Sequence, residues 1–403
     1  MPGLSTAEMK TVEACAGEPM LDQVQAWAAV NSGSRNLDGL AVMAAIYADA
    51  FAVLPGELTL REPAPVDAME ADGSLRPIGH GRNLHLKVRA EAPLQLLFIG
   101  HMDTVYGADH PFQTLTWLEE GVLGGPGVAD MKGGIAVMLA ALKAVETAPG
   151  AGQLGYEVVI NSDEEVGSPG SATLLQQAAQ GKKAALIYEP AALPDGTLAG
   201  ARPGSGNFSI FIQGRSAHAG RNPEDGRNAI VAAADLALRL SRAKGPRLSV
   251  NPARIEGGGP NNVVPDHAVL RVNMRPFTAE DEQRGKAALD AAVAMVAAEH
   301  EVQIHVHGGF GRPPKPLDAN AEKLFALVKS CGADLGDSIG WQPTGGVCDG
   351  NNIAACGVPV VDTMGVRGGA IHSSDEYLIV DSLVERAQLS ALTILRLAFG
   401  ETL

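Results

Sequence analysis

Apolar residues at Leu21, Val24, Trp27 and Val30 share one helical face, and helical spacing runs from Ser5 to about Pro55. Beyond that point short apolar runs alternate with helical patterns. Gln95–Gly100 (QLLFIG) predicts a buried strand closed by a glycine, and Gly133–Val145 predicts an Ala/Leu-rich helix. Glu157–Asn161 is a second strand, Ala184–Tyr188 a third, and Gly357–Met364 contains a fourth. This alternation of strand and helix predicts an α/β fold with a mostly parallel sheet flanked by helices.

The middle of the chain has another rhythm. Asn207–Gly214 alternates as a half-buried strand, Gly226–Leu240 is a helix, and His267–Arg275 alternates again. The helix Ala279–His300 and the alternating strand Val302–His307 follow. That β-α-β-α-β order predicts an inserted α+β domain of roughly 110 residues. Ala201-Arg202-Pro203-Gly204 and Gly308-Gly309-Phe310-Gly311-Arg312-Pro313-Pro314 mark its edges as Gly/Pro hinges. The expected division is residues 1–202 with 315–403 as one body and 203–314 as the insertion.

Composition narrows the class. Hydrophobic residues at 46% and charged ones at 19% are ordinary for a globular protein. A net charge of −15 argues against nucleic acid, whose phosphates demand a basic surface, but not against a small anionic substrate met by local arginines. The four cysteines include no C-x-x-C pair, which argues against a thiolate zinc site or a disulfide framework. No apolar run reaches the ~18 residues of a membrane span, and MPGLSTAEMK lacks the features of a signal peptide. A cytoplasmic location is the expectation, with periplasmic or secreted as the alternative if a leader has been removed.

The candidate chemistry sits where strands stop, the edge at which open α/β sheets bind ligands. His101 and Asp103 follow the first strand, spaced so that one can ligate a metal while the other orients it. Asp130 precedes a glycine pair and a helix, where it could equally be an N-cap. Asp163-Glu164-Glu165 follows the second strand, and three adjacent carboxylates repel unless a cation neutralises them. Glu189 follows the third strand, and His372 lies near the C-terminus. Nitrogen and carboxylate donors without thiolate suit a catalytic zinc site, and their number suffices for two metals sharing a carboxylate.

These motifs resemble a known family. Gly100-His101-Met102-Asp103-Thr104-Val105, Ala129-Asp130-Met131-Lys132-Gly133-Gly134, Asp163-Glu164-Glu165-Val166-Gly167 and Tyr188-Glu189-Pro190 look like the co-catalytic zinc family of glutamate carboxypeptidase, acetylornithine deacetylase and succinyl-diaminopimelate desuccinylase. Ser216-Ala217-His218-Ala219-Gly220 and Ala370-Ile371-His372-Ser373 continue the likeness in the family's order. The resemblance implies two zinc ions per subunit, with cobalt or manganese as possible substitutes. Asp130 would bridge them, His101 and Glu189 completing one site and Glu165 and His372 the other. Asp103 would orient His101, and Glu164 would be the general base. The Asp130–Met131 peptide would be cis. Met131 departs from the second Asp often found in the carboxypeptidase branch. The insertion matches the family's lid and dimerisation domain, whose His218 would stabilise the oxyanion, commonly from the partner subunit.

Asn262, within Asn261-Asn262-Val263-Val264-Pro265, and Arg275 resemble lid residues that hold a substrate carboxylate, and Arg312 matches the glutamate carboxypeptidase branch. Arginine suits that work because its planar fork pairs bidentately with carboxylate. The leading expectation is a carboxypeptidase releasing a C-terminal amino acid, acidic in preference, from a peptide, acidic polyamide or N-acyl conjugate. The alternative is an N-acyl-amino-acid deacylase of the acetylornithine type. A catalytically silent metal-binding protein would have lost part of the set, yet Glu164, Asp103 and His218 are all present.

Overall fold

A computed structural model describes residues 3–399 of the chain, so the outermost residues of the expected larger body, 1–2 and 400–403, lie outside it. Its central sheet has six strands in the order Glu57–Arg61, Asn83–Val88, Leu154–Asn161, Leu94–His101, Ala184–Ile187 and Val360–Val361. The last four pair in parallel. Asn83–Val88 runs against both of its neighbours. Alternate residues of the parallel strands feed two separate cores, which is why these strands read as continuous apolar runs. Leu96, Phe98, Val158 and Leu186 pack towards the helices Gly134–Glu146 and Ser382–Phe399. Leu97, Ile99, Val159 and Ile187 pack on the other face, against Leu175 of the helix Ala172–Ala179 and Ile353.

The expected N-terminal helical stretch is three helices, Thr6–Cys15, Met20–Ala28 and Leu37–Phe51. Asn36 caps the third by accepting the Gly39 N–H at 3.1 Å. The sequence reading missed the strands Glu57–Arg61 and Asn83–Val88 and the hairpin of Val66–Met69 with Leu75–Ile78.

The inserted segment has its own core, in which Phe208, Ile210, Leu236, Leu270, Leu289 and Val296 meet. Its antiparallel sheet is ordered Leu248–Gly257, His267–Pro276, Ser205–Gln213, Gln303–Arg312, and the helices Ala229–Arg242 and Ala279–His300 contribute the remaining core side chains. The order is therefore β-α-β-β-α-β, a split βαβ arrangement, rather than the expected β-α-β-α-β. Leu248–Gly257 escaped the sequence reading because Pro252 interrupts its alternation and the register shifts between Pro252 and Arg254. It is an edge strand, where proline and a bulge are tolerated because one side of the backbone needs no partner. Among the described residues no helix is long and apolar enough to cross a membrane, and all four cysteines are free thiols.

Candidate metal centre and active site

Each parallel strand of the larger sheet delivers chemistry at its C-terminal end. Leu94–His101 ends on His101, and the preceding glycine is required there: a Cβ on Gly100 would lie 2.3 Å from Ile135 Cδ1. Two residues on, the Asp103 carboxylate accepts from Ser34 Oγ at 2.7 Å and from the backbone N–H groups of Glu164 and Glu165 at 3.1 and 3.2 Å. Asp103 thus fixes the carboxylate turn as well as the histidine. His101 Nδ1 lies 3.0 Å from the Asp103 carbonyl oxygen and 3.4 Å from its Oδ1. Nε2 is left to face the site.

Asp130 enters from the turn before the helix Gly134–Glu146, and the Asp130–Met131 peptide is cis. Gly134 allows this turn to press against the end of strand Ala184–Ile187: a Cβ there would fall 1.9 Å from the Tyr188 carbonyl oxygen. Glu189 follows Tyr188. Glu164 and Glu165 open a single 3-10 turn after Leu154–Asn161. His372 sits in a loop with φ of 62°.

The side chains converge as two half-sites around one carboxylate. Asp130 Oδ1 is 3.1 Å from His101 Nε2, and its Oδ2 is 3.2 Å from His372 Nε2. His101 Nε2 is also 3.7 Å from Glu189 Oε2, and His372 Nε2 is 3.1 Å from Glu165 Oε2. The donor atoms of His101, Asp130 and Glu165 fall within 4.8 Å of one another, as do those of His101, Glu164 and Glu189.

Crowding so many charges in a dry site shifts their proton affinities. Burial pushes the Glu164 carboxyl up to about 7, with Arg312 opposing and Glu189 adding to the rise. Burial and the neighbouring Asp130 charge hold Glu165 well above the usual carboxylate range, and burial raises Glu189 too. Burial also disfavours charge on Asp130, but hydrogen bonds from His101 and His372 outweigh it and hold Asp130 low. Hydrogen bonds to Asp130 and Glu165 push His372 up to about 11. Several carboxylates that resist ionisation together, facing two histidines, form a donor set that suits a cation.

Two cavities meet at this cluster and share Glu164, Glu165 and His372. One, of about 530 Å³, is walled largely by small apolar residues including Pro190, Ala191, Pro194 and Val347, with Arg202 at its edge. The other, of about 770 Å³, reaches under the inserted segment to Asn207, Asn273, Arg275 and Arg312.

The remaining sequence candidates divide. Arg275 lines the second cavity, where its Nη1 donates to the Gly345 carbonyl at 2.8 Å. Arg312 lines it as well but is buried, with Nη2 2.8 Å from Glu164 Oε1 and 3.4 Å from Asp349 Oδ1. His218 and Asn262 line neither cavity. They sit together in the inserted segment, where His218 Nδ1 accepts the Gly220 N–H and the Asn262 carbonyl accepts that of Ala219.

Three groups beside the site went unread in the sequence. Arg202 pairs through Nε and Nη2 with Asp362, which Lys315 also contacts at 3.0 Å. Asp349 receives Asn161 and Ser168 in addition to Arg312. Glu376, four residues after His372, accepts backbone N–H groups from the Asp130 loop. Only Glu376 carried a local signal, its closeness to the histidine motif.

An α/β sheet whose C-terminal edge gathers histidines and carboxylates beside an antiparallel inserted sheet defines the class of a metal-dependent hydrolase. Residues 97–396 match the model of peptidase family M20/M25/M40, and the chain belongs to that family. It is 31% identical over 329 residues to carboxypeptidase G2 of Pseudomonas sp. (strain RS-16), covering 80% of this chain and 78% of that one. It is 28% identical over 315 residues to succinyl-diaminopimelate desuccinylase of Psychrobacter arcticus, covering 73% and 76%. In fold it is similar to an M20 family metallo-carboxypeptidase of Sulfolobus solfataricus, with a TM-score of 0.70 over 94% of this chain and 99% of that one at 15% identity. A dinuclear metal-binding M20 peptidase of Bacillus subtilis gives 0.66 over 94% and 97%, also at 15% identity. The chain is accordingly a hydrolase of a metallopeptidase family.

Proposed function

We propose that the chain is a di-zinc carboxypeptidase that releases a C-terminal acidic amino acid by hydrolysing its amide bond. The observation that carries the reading is Asp130, whose two carboxylate oxygens face different histidines, each with its own further carboxylate. Donor atoms 3.1–3.7 Å apart match the edges of a tetrahedron around an ion with nitrogen ligands at ~2.0–2.1 Å, so the residues fit the group. On this reading His101, Asp130 and Glu189 hold one ion, and Asp130, Glu165 and His372 hold the other. When bound, such ions supply Lewis acidity, lowering the pKa of water towards ~7 and polarising a carbonyl.

The protein groups do the rest. Asp103 orients His101 and, through two backbone N–H groups, the Glu164–Glu165 turn. Glu164 takes a proton from the attacking water and hands it to the nitrogen leaving the broken C–N bond. Arg312 braces Glu164 and is itself paired with Asp349. Arg275 and Arg312 bring positive charge to the larger cavity, which suits a free carboxylate on the leaving side. Residues 203–314 act as the lid, and His218 with Asn262 serves the active site of a partner subunit in a homodimer. That neither residue lines either cavity of its own chain's site supports that arrangement.

The test is a release assay on amides matched except for a C-terminal Glu, Asp, Ala or Lys. Faster release of Glu and Asp supports the reading, and equal rates on all four defeat acidic selectivity. The small apolar walls of the other cavity also suit an N-acyl-amino-acid deacylase. Turnover of N-acetyl amino acids without activity on longer amides would favour that second reading.

A further inference from the structure

We propose that Glu376, with Tyr106, is a positioning residue that sets the second metal position by bracing three ligand-bearing loops against one another. The inference rests on the two-metal reading above. Glu376 is 1% exposed and lines neither of the two cavities at the site. Its Oε1 accepts the N–H groups of Ala129 and Asp130, each at 3.0 Å, and its Oε2 accepts that of Gly127 at 3.1 Å. Three converging backbone donors form a nest for one carboxylate, and one of them is the N–H of Asp130 itself. The Glu376 carbonyl accepts a fourth, from Gly125 at 3.1 Å.

Tyr106 supplies the third loop. Its hydroxyl lies 2.8 Å from Glu376 Oε2 and 2.7 Å from the Ser373 carbonyl oxygen, one residue after His372. The Asp130 loop, the His372 loop and the loop that follows His101 and Asp103 therefore meet at one buried carboxylate.

His372 depends on this brace more than the other donors do. Its side chain is 54% exposed, whereas those of His101, Asp130 and Glu165 are 1%, 6% and 5% exposed. Packing therefore fixes three donors and leaves His372 to its backbone. That backbone is held in the left-handed region, with φ of 52° at Ala370 and 62° at His372, a conformation non-glycine residues keep only when their surroundings impose it. The surroundings here include the Tyr106 hydroxyl at the Ser373 carbonyl, Glu376 behind it, and the Ser373 hydroxyl, which donates to the Ala370 carbonyl at 2.6 Å. A residue that merely filled the interior would weaken both metal positions alike. The clamp supports both positions through the Asp130 loop and the second also through the His372 loop, so the second is the one that loses more.

Zinc titrated into metal-free protein against a competing chelator tests this. Two dissociation constants are read for the wild type, Glu376→Gln and Tyr106→Phe. The amide of Gln keeps one acceptor but turns an N–H pair towards backbone donors, so one of the nest's three bonds is lost if it replaces Oε2 and two if it replaces Oε1. One constant of Glu376→Gln is expected to rise ~10–100-fold while the other stays within ~3-fold, as for loss of an outer-shell partner. Tyr106→Phe should shift the same constant in the same direction by less, and activity should return at excess zinc. Equal weakening of both positions, or no change in either, overturns the clamp. If Glu376→Gln does not fold, the ratio of constants in Tyr106→Phe decides by the same criterion. A wild-type chain that takes fewer than two ions overturns the two-metal reading, and the clamp with it.

Discussion

Replacing Gly134 with alanine sets two effects of opposite sign against each other. Gly134 is the first residue of the helix Gly134–Glu146, and alanine is favoured over glycine in helices by up to ~1 kcal/mol. Propensity alone therefore predicts a more stable protein. Sterics predict the reverse. The new Cβ would lie 1.9 Å from the Tyr188 carbonyl oxygen, whereas ordinary contact begins at 3.4 Å, so about 1.5 Å must be found between the helix and the strand end. The clash is with backbone, not with a flexible side chain. The strand end cannot swing freely, because Gly365 packs against the same carbonyl and donates its N–H to Glu189 at 2.9 Å.

Forcing atoms into so tight a contact costs ~1–3 kcal/mol, and backbone shifts put this case at the upper end, so sterics win by ~1–2 kcal/mol. The functional effect is larger. The displaced segment carries Glu189 on one side and Asp130 on the other, and a misplacement of ~1 Å at a catalytic constellation costs ~10²-fold in rate. Urea denaturation measures the first quantity and kcat/KM on the best amide the second. A Gly134→Ala chain as stable and as active as the wild type would refute the argument that this contact shapes the site.

Other expectations follow from the same geometry. Glu164→Gln keeps an acceptor facing Arg312 but cannot carry a proton, so kcat should fall ~10²–10⁴-fold with zinc content unchanged, and undiminished turnover would remove Glu164 as the base. Glu157 on the central sheet accepts from His85 at 2.5 Å and Lys182 at 2.8 Å, and these bonds outweigh its burial and bring its carboxyl down to about 2. A folded pKa below the unfolded value of ~4.3 means that its stabilisation is present above that value and is lost as pH falls towards 2, amounting to at most ~3 kcal/mol. Urea melts of metal-free protein between pH 7 and pH 3 should show a shallower acid loss in Glu157→Gln, and an identical loss would exclude this pair as a contributor.

What the sequence made legible was what repeats locally. His101, Glu164, Glu165 and Glu189 each stand at or just after the end of an apolar run that both cores require, so strand and candidate site residue announce each other. Asp130 was ambiguous beside its glycine pair, where it could equally be an N-cap, and only the motif resemblance singled it out; folding shows why the pair is there, since Gly134 lets the turn approach Tyr188. Asp349, Asp362 and Arg202 were not readable, because each is a single polar residue made meaningful by a partner that is more than 100 positions away in sequence for Asn161 and Arg202. Arg312 was read as a substrate ligand by its likeness to a motif, and folding also places it against Glu164, a contact no spacing reveals. The strand Leu248–Gly257 stayed hidden for a different reason: an edge strand buries little, so its pattern is weak and Pro252 erases it.

The central claim is that Asp130 is shared by two metal positions. Anomalous diffraction at the zinc edge from crystals of the zinc-loaded protein tests it most directly. The account predicts two peaks ~3.5–4 Å apart on either side of the Asp130 carboxylate, one beside His101 and Glu189 and the other beside Glu165 and His372. A single peak in fully active protein, or two peaks that do not share Asp130, would contradict it.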